Sequence, residues 1–155
     1  MKFPMFIEIG HQRVVVFGGG TIATRRIKAM LPFGCLITVI TPVVSKELSE
    51  LIISGFIEWI NREYQKGDCK DAVIVLSCTN SRSVNQAIYE EACQTTNYYN
   101  ICDCKEQCSF YFPGIARKEQ VVVGITANGG NHTLARMITK KMQAFLEQES
   151  EEGRG

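Results

Sequence analysis

The sequence predicts an α/β protein, a doubly wound parallel sheet followed by a small hairpin-plus-helix region. Short β-branched runs alternate with amphipathic segments, a glycine-rich turn joins the first run to the first helix, and the alternation breaks near Pro113. Parallel strands need crossover connections, so strands separated by helices imply a parallel sheet.

The first run, RVVVF at 13–17, reads as a strand buried on both faces and leads straight into GGGTIATRRIKAMLPFG. From Thr21 the pattern turns helical, with Ile22, Ile27, Met30 and Leu31 on one face and Pro32 and Gly34 ending it. LITVIT at 36–41 is a second buried strand, stopped by Pro42; Ser45 then caps a helix that runs to about Ile53 and ends at Gly55. FIEWI is a third strand, AVIVLSC at 72–78 a fourth, SVNQAIYEEACQ a helix, and YYNIC at 98–102 a fifth strand. Beyond it, FYFPGIA and VVVGITA flank the polar turn RKEQ and read as an antiparallel pair. A last helix starts near Thr133, with Leu134, Met137, Ile138, Met142, Phe145 and Leu146 on one stripe. A hairpin and one helix cannot enclose a core alone, so a second copy is the expected partner. The expected boundaries are 1–112 for a nucleotide-binding domain, 113–150 for a dimerisation region, and 151–155 for a tail.

Composition narrows the function. The chain is 45% hydrophobic and 21% charged with a net charge of +1, which is globular and carries no global field for nucleic acid or a membrane surface. No segment approaches the length of a membrane span, and the N-terminus has no signal-type apolar stretch. Seven scattered cysteines without such a signal fit free thiols in a reducing cytoplasm.

Gly18, Gly20 and Ala23 fit G-x-G-x-x-G/A where that pattern carries meaning, after a buried strand and opening a helix. The first glycine permits the tight turn, the second admits a pyrophosphate, and the helix N-terminus attracts the phosphates. This makes the sheet Rossmann-like, with Gly18 and Gly20 placed for a dinucleotide; a tight turn without ligand is the alternative. The acidic residue that usually ends the second strand and binds a ribose is missing. Thr41, Pro42 and Val43 stand there, leaving backbone and hydroxyl groups to hold the ribose. No arginine at 41–44 recruits a 2′-phosphate, which favours NAD. At the end of the fourth strand Thr79 and Asn80, and Asn85 after them, could line the crevice, while Ser81 reads as a helix cap.

In NICDCKEQCSFYFPG, Cys102 and Cys104 flank Asp103 on what reads as an extended segment. C-x-C-x3-C without a nearby histidine is not zinc spacing, so no metal ligands are assigned; against the alternatives of a metal site and a disulfide, the thiols read as free cysteines packed as small hydrophobes. Asp103 leaves the fifth strand at the ligand-binding edge, as a general base or as a turn-forming aspartate. His11 reads as a solvated turn residue, and His132 lies beside the cap of the last helix, Asn131 or Thr133.

FPMFIEI, VVVFGGGTIATRRI, NICD followed by CSFYFPG, VVVGITANGG and LARMI, in this order, resemble the precorrin-2 dehydrogenase family, the N-terminal family of siroheme synthases. The resemblance runs from about Phe3 to about Ala144. It implies a Rossmann domain with a dimerisation region, NAD as cofactor, and oxidation of precorrin-2 to sirohydrochlorin, with iron insertion in some members. It implies that Asp103 is essential and that residues 18–22 with Pro42 and Val43 contact the cofactor. Asn131 and His132 depart from a common Ser-Pro, and Ala127 stands where some members have a hydroxyl. A polycarboxylate substrate needs local cations, for which Arg117, Lys118, Arg136, Lys140 and Lys141 are candidates against a merely solvated face. A non-enzymatic NAD-sensing module and a chelatase without dehydrogenase activity are the competing readings.

Overall fold

The computed structural model of the chain describes the backbone of residues 3–152 and the side-chain surroundings of residues 3–148. Two compact units are present, one of Ile7–Phe110 and one of Met1–Phe6 with Tyr111–Gly155.

The first unit runs β1 (Arg13–Phe17), α1 (Thr21–Met30), β2 (Leu36–Ile40), α2 (Lys46–Ile53), β3 (Ile57–Ile60), β4 (Ile74–Ser77), α3 (Arg82–Thr95) and β5 (Tyr98–Ile101). Its sheet has the order β3-β2-β1-β4-β5 with every neighbouring pair parallel, so the predicted doubly wound fold is borne out. Winding reverses at β1, which puts the topological switch point between β1 and β4, where open α/β sheets take their ligands. Val14 to Phe17 are fully buried, as a central strand covered on both faces requires.

Local chemistry sets the element ends. Gly34 takes φ 71 after a short 3-10 turn at Leu31–Phe33, and Ser45 accepts the Leu48 N–H at the start of α2. The segment between β3 and β4 has no regular structure and is pinned by side chains. Arg62 forks onto Asp68 at 2.7 and 2.8 Å, and Glu91 of α3 accepts from the Tyr64 hydroxyl (2.6 Å), Gly67 N (3.0 Å) and Cys69 N (2.8 Å). Tyr64 meets Phe17 edge to face, with ring centroids 5.3 Å apart.

The second unit holds β6 (Gly114–Lys118), β7 (Val121–Ile125) and α4 (His132–Glu152). The strands pair antiparallel from Gly114↔Ile125 to Lys118↔Val121, around the turn at 119–120. Asn131 caps α4 by accepting the Leu134 N–H at 2.9 Å. Half-buried Ala135, Thr139, Met142, Gln143 and Leu146 recur at helical spacing. Thr139 fills the space a side chain at Gly114 would need, and the Gln143 amide bonds both the N–H and the C=O of Arg117. Met142 and Leu146 therefore leave the predicted stripe, while Leu134, Met137, Ile138 and Phe145 remain exposed. Residues 153–155 of the expected tail lie outside the described residues, and α4 continues through Glu152. No described helix is long and apolar enough to cross a membrane.

Candidate functional site

Four loops meet at the carboxyl edge of the parallel sheet, all within the first unit. The three glycines after β1 have different neighbours. Gly18 sits at φ 101, and a Cβ on it would lie 2.5 Å from the Cys78 carbonyl oxygen. A Cβ on Gly19 would run into the Val43 carbonyl and approach Thr41. A Cβ on Gly20 would meet nothing within 4 Å. The first two glycines are demanded by neighbouring backbone, whereas the third opens onto space at the N-terminus of α1. The N–H groups of that first turn have no intrahelical acceptors, and no acidic side chain of the turn occupies the position. This cradle fits a pyrophosphate.

The loop after β2 closes one side. Ser45 N donates to Gly19 O at 2.8 Å, and the Ser45 and Thr24 hydroxyls bond each other at 2.9 Å. Thr41 is buried, its hydroxyl donates to Val43 O at 3.0 Å, and its carbonyl accepts from Trp59 Nε1 at 2.9 Å. Thr41 thus shapes the loop, while Pro42 and Val43 are the exposed pair beside the glycines, together with exposed Thr21 and Ile22.

On the other side, Ser77 and Thr79 donate their hydroxyls to Asn85 Oδ1 at 2.7 and 2.6 Å, and Asn85 Nδ2 returns a bond to Thr79 O at 3.1 Å. Asn85 is fully buried and staples β4 to α3, so it does not line the crevice. Asn80 is exposed at the rim, and Ser81 caps α3.

Asp103 follows β5. The predicted extended segment is instead a turn, closed by Cys104 N on Ile101 O at 3.1 Å and continued by a 3-10 turn at Lys105–Gln107, because hydrogen bonds internal to the loop replace a strand ladder. Arg82, the first residue of α3, holds Asp103 Oδ1 through Nη1 at 3.2 Å. Its Nη2 donates to Gln107 Oε1 at 2.7 Å and to Gln86 Oε1 at 3.1 Å. Sequence reasoning missed Arg82. A signal existed, because a cation at a helix N-terminus opposes the macrodipole and needs a compensating partner.

The seven cysteines are free thiols. Cys78 and Cys102 lie with their sulfurs 2.9 Å apart, a contact that sequence spacing could not reveal. The hydrogen bond from Cys78 lowers the Cys102 thiol below its ordinary range, against burial and with help from Arg26 and Arg25, while the same contact and burial push Cys78 up. Among the described residues no three His, Cys, Asp or Glu side chains are grouped to hold a metal ion. His11 is exposed, and His132 and the five candidate cations belong to the second unit, where Lys118 donates to Glu147 O at 2.8 Å.

A parallel sheet wound in this order, with an open glycine cradle at its switch point, defines a dinucleotide-binding α/β domain. Residues 5–114 match the NAD(P)-binding family NAD_binding_7, and the chain belongs to that family. It is 36% identical over 143 residues to the multifunctional siroheme biosynthesis protein HemA of Ruminiclostridium josui, covering 92% of this chain and 28% of that protein. It is 31% identical over 145 residues to siroheme synthase 1 of Aeromonas salmonicida, covering 94% of this chain and 31% of that protein. The chain thus spans less than a third of the length of these curated relatives. Among solved structures it is similar to SirC, a precorrin-2 dehydrogenase, with a TM-score of 0.77 at 25% identity, covering 92% of this chain and 70% of that one. The resemblance read from the sequence holds.

Proposed function

We propose that this chain is an NAD-dependent dehydrogenase that oxidises precorrin-2 to sirohydrochlorin. The observation that carries the reading is the likeness to SirC over 92% of the chain. The open cradle at Gly20 and the carboxylate of Asp103 at the same sheet edge are consistent with it. NAD supplies a hydride acceptor when bound. The residues that would hold it are Gly18, Gly19, Gly20, Thr21 and Ile22 around the pyrophosphate, with Pro42, Val43, Thr79 and Asn80 flanking and Thr41 shaping its loop.

Extending conjugation in a tetrapyrrole removes a hydride and a proton. Asp103 is the group we assign to the proton: Arg82 occupies Oδ1, which leaves Oδ2 to accept it. The Arg82 contact fixes the carboxylate direction, and orientation of this kind lowers the entropy cost of proton transfer. The functional form we propose is a homodimer formed through the second unit, and the free thiols suit a reducing cytoplasm.

The test is anaerobic incubation of the chain with precorrin-2 and NAD, followed by absorbance. Appearance of the sirohydrochlorin spectrum with one NADH per product is expected. Folded, NAD-bound protein that leaves precorrin-2 unchanged overturns the assignment. Adding ferrous ion in a second arm separates metal insertion from oxidation.

A further inference from the structure

We propose that Cys78 and Cys102 are a redox-active dithiol, a modification site at which a small-molecule disulfide is reduced while an intramolecular bridge closes across the ends of β4 and β5. The geometry carries this independently of the dehydrogenase reading. In the β4–β5 register the last residues, Ser77 and Ile101, pair, so the residue that follows each strand is a cysteine, and Cys102 N donates to Ser77 O at 2.9 Å. In-register neighbours point to the same face, and adjacent strands lie about 4.8 Å apart. That spacing falls inside the Cα separation of roughly 4.4–6.8 Å that a disulfide tolerates. The sulfurs are 2.9 Å apart. Bonding at about 2.05 Å needs a movement below about 1 Å.

The remaining thiols are placed differently. Cys35 and Cys69 are buried, Cys93 is exposed on α3, Cys104 Sγ contacts Glu106, and Cys108 Sγ is engaged by the Ile101 and Cys104 carbonyls. As whole residues, neither Cys78 nor Cys102 is fully buried. Cys102 is the attacking sulfur, since its thiolate is the one favoured by a hydrogen bond from Cys78 and by Arg26 and Arg25.

The exchange balances. The Cys102 thiolate attacks one sulfur of a disulfide RSSR, forming a mixed disulfide and releasing RS⁻. That thiolate takes the Cys78 proton as RSH. The Cys78 thiolate then attacks the Cys102 sulfur, breaks the mixed disulfide and expels a second RS⁻. Two electrons pass from the cysteine sulfurs to the small disulfide. The bridge ties the backbone beneath Gly18, whose neighbour is the Cys78 carbonyl, to the residue preceding Asp103.

The experiment treats the full chain with glutathione disulfide, blocks remaining thiols with N-ethylmaleimide, and maps tryptic peptides without reductant by tandem mass spectrometry. Two of the seven thiols should be lost to a Cys78–Cys102 bridge and recovered with dithiothreitol. Cys78→Ser should instead retain a stable glutathione adduct on Cys102, since no resolving thiol remains. All seven thiols staying reactive, a bridge mapping to another pair such as Cys104 and Cys108, or an undiminished two-thiol loss in Cys102→Ser would each overturn the proposal. If a variant fails to fold, the peptide map of the unmodified chain still decides.

Discussion

Gly18 and Gly20 lie two residues apart and respond to opposite demands. At Gly18 a side chain meets the Cys78 carbonyl in a left-handed backbone. Gly18→Ala should therefore destabilise the fold by about 1–3 kcal/mol. Gly20 has open space, and Gly20→Ala should change stability by no more than about 0.5 kcal/mol. Gly20→Asp should keep the fold and lose NAD, because it puts a carboxylate where the pyrophosphate belongs. Thermal melts with calorimetric titration separate these outcomes, and unchanged NAD affinity in a folded Gly20→Asp variant would remove the cofactor assignment. Asp103 and Arg82 form a second contrast. Asp103→Ala should slow precorrin-2 oxidation by roughly 100- to 10,000-fold while NAD still binds. Arg82→Ala should cost less, because this solvent-exposed ion pair positions the carboxylate and does not transfer the proton. Steady-state rates in which Arg82→Ala falls further than Asp103→Ala would reverse these roles.

Among the elements, α3 does two jobs, offering Arg82 to the site at one end and Glu91 to the β3–β4 segment near the other. Burial pushes the Glu91 carboxyl up, but hydrogen bonds from Tyr64, Gly67 N and Cys69 N bring it net below the usual range. The Arg62 hydrogen bond lowers Asp68 against burial, with Gln65 N assisting. Both folded values lie below the unfolded ones, so their stabilisation is present above about pH 4 and is lost as pH falls through the folded values. Glu91→Gln should cost about 1–3 kcal/mol at neutral pH, and the difference should shrink in acid. Urea midpoints across pH check this; a constant difference down to pH 3 would refute it. What was legible in the sequence was local. Ser45, Ser81 and Asn131 cap helices, and Gly34 and Gly55 stop them, through bonds spanning a few residues. The parallel, doubly wound class of the sheet followed from the alternation and the glycine turn, but its strand order did not. Glu91 with Cys69, Arg82 with Asp103, and Cys78 with Cys102 each join residues more than 20 positions apart. Those contacts depend on strand register and helix phase, which no short window contains. The turn at Asp103 escapes the sequence for a related reason, since Cys104 and Cys108, whose bonds to Ile101 O fold the chain back, lie beyond the run that looks like strand.

For the whole molecule, the unresolved demand is the apolar surface of the second unit. Leu134, Met137, Ile138 and Phe145 are 41%, 45%, 38% and 51% exposed on one side of α4, and Val121 of the hairpin is 52% exposed. The other side of α4 is taken by the hairpin through Thr139 and Gln143, so no rotation of the helix could hide this stripe without exposing that contact. Contiguous apolar patches beyond a few hundred Å² are uncommon on soluble monomers. A second copy offers the same stripe by two-fold symmetry, and a self-complementary surface is the commonest route to a soluble oligomer. Light scattering at micromolar concentration should give twice the 17.4 kDa chain mass. Met137→Glu with Ile138→Glu should release monomers, because each carboxylate would be buried without a partner in the interface. Lys140→Glu, on an exposed and already charged position of the same helix, should leave the dimer intact. Circular dichroism on all three establishes that α4 is still helical before masses are compared. A monomeric unmodified chain, or a double-glutamate variant that stays fully dimeric, would mean that this face is not the interface.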